Sequence, residues 1–159
     1  MSLCLVGCKM ILKTVNNYDF LIDDEDFKRV SKFNWTFNKK IKYIIATSRD
    51  NSGLYLHRFL LNNPKNRVVD HINRNKLDNR KCNLRICTIN ENVRNCNLSK
   101  NNTSGFTGVA KHHTGKWRTY IMVNRKQIGL GIFENFEDAI GARVTGEIEY
   151  FGEFAPCLN

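Results

Sequence analysis

Alternation of apolar and polar residues predicts that the N-terminal half of this chain is built from short strands joined by turns. Three such runs, rich in aromatic and β-branched residues and separated by Asn/Lys and Asp-Asn-Ser-Gly turns, predict a small sheet: Trp35–Phe37, Tyr43–Ala46 and Leu54–Leu56. An acidic first turn followed by basic residues predicts a helix that begins at Asp23 or Asp24. A favourable helix N-terminus explains this acidic cluster better than a metal site does.

The next stretch predicts a strand, a loop, a second strand and a helix within about thirty residues. Val68–Val69 is β-branched and apolar, and Asp70–His71 stands where this strand stops. Residues 73–80 are polar and without periodicity, which indicates a loop. Residues 83–87 alternate polar and apolar, which predicts a half-buried strand. Thr88–Glu91 has the pattern of a capping box, so a helix is expected to begin there.

This unit carries the side chains that phosphodiester hydrolysis requires. His71 is suited to deprotonate water near neutral pH. Asp70 and a carboxamide oxygen are ligands of the kind that Mg²⁺ accepts, and Asn92 on the capped helix is the candidate carboxamide. Asn83 on the facing strand is expected to orient the imidazole ring of His71. Arg85, two residues further along the same strand face, is expected to contact a DNA phosphate.

At these positions the chain resembles the HNH endonucleases, the ββα-metal nucleases common among homing endonucleases. Asp70-His71 is followed by Asn83-Leu84-Arg85, with Asn83 twelve residues after His71, and by Asn92 nine residues later. The resemblance covers roughly residues 55–97. It implies catalytic roles for His71 and Asn83, and one Mg²⁺ or Mn²⁺ held by Asp70 and Asn92. The third motif position is Asn and not His, as in asparagine-ended variants of the family.

Two alternatives stay open in this region. One Asp-His pair in a loop is commonly a solvated polar turn, and Asn accounts for 21 of 159 residues, so a single spacing match means little. His57 is either a phosphate contact or neighbour of His71, or a packed structural histidine.

After a polar, linker-like stretch at residues 98–105 the pattern changes. Three strand-like runs follow, at residues 106–111, 116–123 and 126–133. In the middle run, one set of alternate residues is expected to face inward: Trp117, Thr119, Ile121 and Val123. From Asn135 a helix is predicted, whose inner face would comprise Phe136, Ala139, Ile140, Val144 and Ile148, with the small residues Gly141, Ala142 and Gly146 allowing close packing on the sheet.

Across residues 104–155 the chain resembles the AP2/ERF DNA-binding domain. The matching segments are Ser104–Val109, Lys116-Trp117, Leu130–Phe133, Glu137–Ala139 and Phe151–Ala155. The resemblance implies that the exposed sheet face enters the major groove of double-stranded DNA. The expected base-reading residues are Arg118, Tyr120 and Gln127, and the expected phosphate contacts are Lys116 and Lys126.

Composition and charge agree with a nucleic-acid partner. The net charge is +10, and residues 105–132 hold five basic and no acidic side chains, whereas residues 133–159 hold six acidic and one basic. No apolar segment is long enough to span a membrane, and the N-terminus lacks a cleavage signal, so an intracellular protein is expected, compatible with a virus or a mobile element as its source. The spacing of the six cysteines, Cys4, Cys8, Cys82, Cys87, Cys96 and Cys157, makes a structural zinc site unlikely and favours reduced thiols.

The sequence therefore predicts an α+β protein with an HNH region at residues 9–97 (ββα core about 66–97), a linker at 98–104 and an AP2-like unit at 105–155. The predicted function is a homing-type DNA endonuclease that uses one divalent metal, nicks DNA, and acts as a monomer or weak dimer. The alternative is a non-cutting AP2-type DNA-binding regulator with a decayed HNH unit. An RNA-binding protein fits less well, because the chain has no RNP-type aromatic motif.

Overall fold

The computed structural model describes residues 9–47, 53–95 and 98–156. The chain divides into two compact units, of which the first ends at Val93 and the second begins at Arg94. Within the described ranges the fold is mixed α+β, as predicted, with four small antiparallel sheets. None of the helices in these ranges is long and apolar enough to cross a membrane. Part of the predicted Asp-Asn-Ser-Gly turn lies outside the described residues, as do Cys4, Cys8, Cys96 and Cys157.

In the N-terminal unit, the first elements among the described residues form a hairpin that the sequence patterns did not predict, β1 (Lys9–Lys13) and β2 (Asp19–Asp23). A 3₁₀ turn at Asp24–Asp26 and the short helix α1 (Phe27–Val30) then fulfil the predicted acidic helix start. The predicted small sheet is confirmed as β3 (Thr36–Asn38), β4 (Tyr43–Thr47) and β5 (Gly53–Tyr55). Leu56, expected to end the third strand, instead begins α2 (Leu56–Leu60).

The predicted strand–loop–strand–helix unit is present. Antiparallel strands β6 (Val68–His71) and β7 (Leu84–Cys87) are followed by α3 (Ile89–Arg94). The capping box is confirmed, because the Glu91 N–H donates to Thr88 Oγ1 at 3.2 Å and the Thr88 N–H donates to Glu91 Oε2 at 2.7 Å. Asn83, expected on the second strand, ends a 3₁₀ turn just before β7.

One apolar core stabilises the N-terminal unit, and both strands of the ββα unit contribute residues to it. It combines Trp35, which precedes β3, with residues of β2, α1, β4, α2, β6 and β7: Phe20, Ile22, Val30, Ile44, Ala46, Leu56, Leu60, Val69 and Leu84. The indole N–H of Trp35 donates to the Val30 carbonyl at 2.8 Å, so this buried polar group is satisfied. Because Val69 and Leu84 belong to this core, the strands that carry Asp70 and His71 are fixed to a rigid base.

The C-terminal unit is a three-stranded antiparallel sheet packed on one helix. Its strands are β8 (Val109–Lys111), β9 (Trp117–Val123) and β10 (Lys126–Phe133), with β9 in the middle. The helix α4 (Phe136–Phe151) packs on β9 and β10 and ends before Gly152, which has φ +54°. Alternation along β9 is as predicted, because Thr119 and Ile121 are fully buried.

The inner face of α4 differs from the predicted one at its C-terminal end. Ile148 is 63% exposed, and Arg143 and Glu147 are buried instead, joined by an ion pair of 2.8 Å. Arg143 also donates to the Tyr120 carbonyl, and this contact satisfies its buried charge. Gly146 fulfils its predicted role, since a Cβ there would lie 2.7 Å from Leu130 Cδ1.

Candidate active site

Asp70 and His71 are the last two residues of β6, and both are buried, with 8% and 4% exposure. In the register of the hairpin, Asp70 lies opposite Arg85 and His71 lies opposite Leu84. Val69 and Leu84 hold this end of the hairpin in the core. A carboxylate and an imidazole thus occupy consecutive positions at the end of one strand.

Asp70 forms an ion pair with Arg85 across the two strands. Arg85 donates from Nε at 3.0 Å and from Nη2 at 2.9 Å, both to Oδ2 of Asp70. Side-chain exposure is low on both partners, 13% for Arg85 and 10% for Asp70. This contact compensates the charge of Asp70, and it means that any cation bound by this carboxylate shares it with Arg85 or replaces Arg85.

The carboxamide on the His71 ring belongs to Asn79, a residue that the sequence reasoning did not single out. Asn79 Oδ1 lies 3.2 Å from His71 Nε2, while Asn79 Nδ2 donates to the Lys76 carbonyl at 3.2 Å. Since Nδ2 is used as a donor, Oδ1 is the acceptor. In the neutral ring this network assigns the proton to Nε2 and the lone pair to Nδ1.

Strand β2 fixes the backbone around Asn79 through hydrogen bonds. The Leu21 N–H donates to the Leu77 carbonyl at 2.8 Å, and the Asn79 N–H donates to the Leu21 carbonyl at 2.8 Å. Asp23 Oδ2 accepts from the Lys81 N–H at 2.8 Å. Asn79 is 1% exposed. The hairpin that sequence patterns missed is therefore what fixes the carboxamide on His71.

Asn83 ties the loop between the two strands. Its Oδ1 accepts from the Asn73 N–H at 2.9 Å, its Nδ2 donates to the Asp78 carbonyl at 2.7 Å, and its own carbonyl accepts from the Ile72 N–H at 2.8 Å. The carboxamide predicted to orient His71 is thus hydrogen-bonded to the loop backbone, whereas the His71 ring contacts Asn79. The contacts of Asn83 with the backbone on both sides of the loop give it an indirect way to orient that ring, by fixing the segment that carries Asn79.

Asp78 adds to the stiffness of this loop. It is buried, and Arg80 donates to it from Nε at 2.8 Å and from Nη2 at 2.7 Å, while Asn73 Nδ2 donates at 3.0 Å. Burial by itself would raise the pKa of Asp78, but the hydrogen bonds and positive charge of Arg80 outweigh it and hold this pKa below its usual value. The ionised carboxylate of Asp78 thus joins Asn73 and Arg80 within the loop.

A second histidine lies beside His71 in an aromatic cluster. The His57 ring centroid is 5.2 Å from that of His71 and 4.7 Å from that of Tyr43, and Lys76 Nζ lies 3.8 Å from the centroid of Tyr43. Burial, followed by the positive charges of neighbouring groups, lowers the pKa of His57 to about 3. His57 is thus neutral at physiological pH and packs as a wall of the site.

Burial also lowers the pKa of His71 below its usual value, against the hydrogen bond to Asn79 and the negative charge of Asp70, which raise it. The imidazole is therefore neutral near pH 7. A neutral imidazole at a fixed position can accept a proton from water, which is the task of a general base.

Asp70 is the carboxylate of the site that is available in type to a divalent cation. Among residues 9–47, 53–95 and 98–156, no three or more His, Cys, Asp or Glu side chains cluster as metal ligands. Mg²⁺ commonly uses one or two carboxylates together with water and substrate phosphates. Asn92, the second expected ligand, is half-buried on α3 and donates its backbone N–H to the Thr88 carbonyl at 3.0 Å.

In the C-terminal unit, one face of the sheet is turned away from α4. Arg118 and Tyr120 lie on this outer face, as predicted from parity, and Gln127 joins them because it pairs with Met122. Lys116 precedes β9 and forms an ion pair with Glu134. Lys126 has the parity of the helix-covered face and is exposed at the strand end.

The N-terminal unit thus contains a strand–loop–strand–helix unit whose first strand ends in an Asp-His pair. A family model described as HNH endonuclease matches residues 62–94. A protein of Acanthamoeba polyphaga mimivirus described as "Uncharacterized HNH endonuclease L560" is 30% identical over 132 residues, which cover 79% of this chain and 67% of that protein. No solved structure is significantly similar. The chain belongs to the HNH endonuclease family.

Proposed function

We propose that this protein is a divalent-metal-dependent DNA endonuclease that cuts with its ββα unit. The observation that supports this most strongly is the pairing of a neutral, oriented imidazole with a carboxylate at one strand end. His71 is held by Asn79 at 3.2 Å, and Asp70 adjoins it on β6. Membership of the HNH endonuclease family makes phosphodiester hydrolysis the reaction to expect of this pair.

In the proposed reaction, His71 Nδ1 accepts a proton from a water molecule whose oxygen attacks the scissile phosphorus in line. The bond from phosphorus to the 3′-oxygen breaks as the new P–O bond forms, and the released 3′-oxygen takes up a proton from solvent water. Asp70 and Asn92 would hold Mg²⁺ or Mn²⁺, which when bound stabilises the negative charge that develops on the phosphate and the leaving oxygen. Asn79, fixed through Asn83 and β2, keeps the ring in the productive orientation.

Arg85 has two tasks in this scheme. In the structure it neutralises Asp70 through two hydrogen bonds to Oδ2. A guanidinium at this position can also bind a phosphate by two parallel hydrogen bonds. We place the scissile phosphate there, so that Arg85 exchanges one anion for another when DNA enters.

The C-terminal unit is the proposed targeting module, with its outer sheet face in the major groove as in AP2/ERF domains. Arg118, Tyr120 and Gln127 would face base edges, and Lys116 and Lys126 would contact phosphates. Charge supports this assignment, since residues 105–132 carry five basic and no acidic side chains. One active site per chain predicts a nick by a monomer, and a double-strand cut only by a weak dimer.

A second function is favoured by two observations. Asp70 is occupied by Arg85, and the third motif position is Asn92, as expected of a site that has lost its metal and its activity. The protein would then be a DNA-binding regulator that does not cut.

Cleavage of supercoiled plasmid DNA with Mg²⁺, Mn²⁺ or EDTA distinguishes the two functions. The nuclease produces nicked circles with either metal, none in EDTA, and none with Asp70→Asn purified in the same way. Binding of DNA by the wild-type protein without any cutting in either metal would establish the regulator instead.

A further inference from the structure

The outer face of the C-terminal sheet contains more apolar than charged side chains. On β9 it presents Arg118, Tyr120 and Met122, and Ile132 of β10 and Ala110 of β8 both lie directly opposite Arg118. Met122 is 49% exposed and Ile132 is 50% exposed. Arg118 is the only charged residue in the middle of this face, and apolar groups flank it on both sides. Such a face suits a partner that presents apolar groups to the centre of the sheet and negative charges to the edge of the sheet.

Gly129 leaves part of the same face accessible to a large ligand. Gly129 pairs with Tyr120, and a Cβ built on it would meet nothing within 4 Å. The register shifts between Gly129 and Gly131, where the chain adopts φ +136°, so β10 bulges there. A bulged strand that carries no side chain beside the half-buried Tyr120 lets another molecule approach the backbone closely.

From these observations we infer that the outer sheet face recognises thymine methyl groups, with Ile132 and Met122 as the specificity-determining residues. This inference rests on the proposed function, because it presumes that the face lies in the major groove. There the C5-methyl of thymine is the one apolar group on the base edges, and apolar side chains are its natural contacts. Arg118, between Ala110 and Ile132, is placed to bind a single guanine.

The spacing of side chains on one face of β9 is close to the length of two base-pair steps in duplex DNA. Residues two apart on a strand are about 6.8 Å apart, close to two steps of about 3.4 Å along a DNA strand. Arg118, Tyr120 and Met122 therefore sample positions about two base steps apart. The predicted target is A+T-rich with one G·C pair near Arg118.

Charge supports duplex DNA as the occupant of this face. The three strands and their turns contain five basic and no acidic residues, whereas the acidic residues of the unit lie on α4 and its flanks. Lys111 lies at the end of β8 with Nζ 4.0 Å from the ring centroid of Trp117, at the rim of the sheet. Cations at the rim fit phosphates, and the apolar centre fits base edges.

The test replaces thymine with uracil, which removes only the methyl group. The 159-residue protein in EDTA, where metal-dependent cutting is suppressed, selects duplexes from a pool with about 20 random base pairs. The recovered duplexes are then rebuilt with uracil in place of thymine, and their affinities are measured by fluorescence anisotropy at one salt concentration. Burial of one methyl accounts for about a fourfold change in affinity. Loss of two contacts is expected to weaken binding ten- to twentyfold.

Variants assign the effect to the named residues. Met122→Gln and Ile132→Thr put polar groups in place of apolar ones at exposed positions, and the double variant is expected to bind thymine and uracil duplexes equally. Ile148→Thr, at an exposed position on α4, is the matched control and retains the discrimination.

Equal affinity of the wild-type protein for thymine and uracil duplexes, or selection of G+C-rich duplexes, would overturn the inference while leaving DNA binding by this unit intact. Failure to select any duplex would overturn both the inference and the proposed DNA-binding role.

Discussion

Lowering the pH from 7.5 to 5.0 is expected to destabilise the N-terminal unit through His57. This side chain is 6% exposed and packed between Tyr43 and His71. Burial, and then the charges of His71, Arg58 and Lys76, hold its pKa at about 3 in the folded protein. In the unfolded chain a histidine has a pKa of about 6.5.

The direction follows from proton binding. Because the folded pKa is lowered, the unfolded chain binds the additional proton between about pH 6.5 and pH 3, so stability falls as the pH falls through this window. At pH 5.0 the pKa difference reduces the free energy of unfolding by about 2 kcal/mol relative to pH 7.5. Over the full window the loss approaches about 5 kcal/mol.

The assay compares a protein that carries Trp117→Phe with one that carries both Trp117→Phe and His57→Phe. The change at position 57 keeps a ring against Tyr43 but cannot titrate. Because Trp117 is replaced in both proteins, Trp35 is the remaining tryptophan and reports on the N-terminal unit. Its ring centroid is 5.8 Å from that of Phe59 on α2, the helix that carries His57. Urea unfolding at both pH values should show that the stability of His57→Phe relative to wild type increases by about 2 kcal/mol on acidification. Parallel pH dependences of the two proteins would refute the account of a buried neutral His57.

Three further changes test the site and the C-terminal sheet. Arg85→Gln is expected to tighten binding of Mn²⁺ in the absence of DNA about tenfold, measured by calorimetry, because it removes the charged hydrogen bonds to Asp70. Asn79→Ala is expected to slow cleavage at saturating DNA about 10–100-fold with unchanged DNA affinity, because the His71 ring loses its partner. Gly108→Ala is expected to cost about 2 kcal/mol or more in thermal unfolding, since φ is +74° and a Cβ would lie 2.4 Å from a backbone carbonyl oxygen.

Each of these has its own control. Unchanged or weaker Mn²⁺ affinity of Arg85→Gln would mean that the ion does not use the carboxylate of Asp70. Asn79→Asp keeps the acceptor oxygen, so it should retain more activity than Asn79→Ala if orientation is the cause. Gly105→Ala has φ +82° without a close neighbour, and should lose only the smaller, backbone part of the stability. Equal losses at Gly105 and Gly108 would contradict the steric explanation.

Local patterns predicted the elements that depend on local physics. The capping box at Thr88–Glu91 satisfies backbone groups within one turn, and the alternation along Trp117–Val123 reflects one buried face. Both are encoded within a few residues, so the sequence was enough to find them. The order and spacing of Asp70, His71 and Asn83 indicated the candidate site through the resemblance to HNH endonucleases, and the catalytic roles of these residues stay predictions.

Contacts between distant residues could not be read from such patterns. The β1–β2 hairpin was missed, although β2 fixes Asn79 through Leu21. Asn79 itself is one of 21 asparagines, and only its position next to His71 distinguishes it. On α4, helical periodicity predicted a buried Ile148, because nothing in the pattern shows that Arg143 and Glu147 neutralise each other beneath the sheet.

The central claim is that His71 is the general base of a DNA endonuclease, and its most direct test is the single-turnover rate of strand cleavage. Wild type and His71→Ala are compared in Mg²⁺ and in Mn²⁺ at protein concentrations that saturate the same DNA. The account predicts a loss of about 10²–10⁴-fold in the variant with DNA affinity unchanged. Cleavage by His71→Ala at the wild-type rate would contradict it.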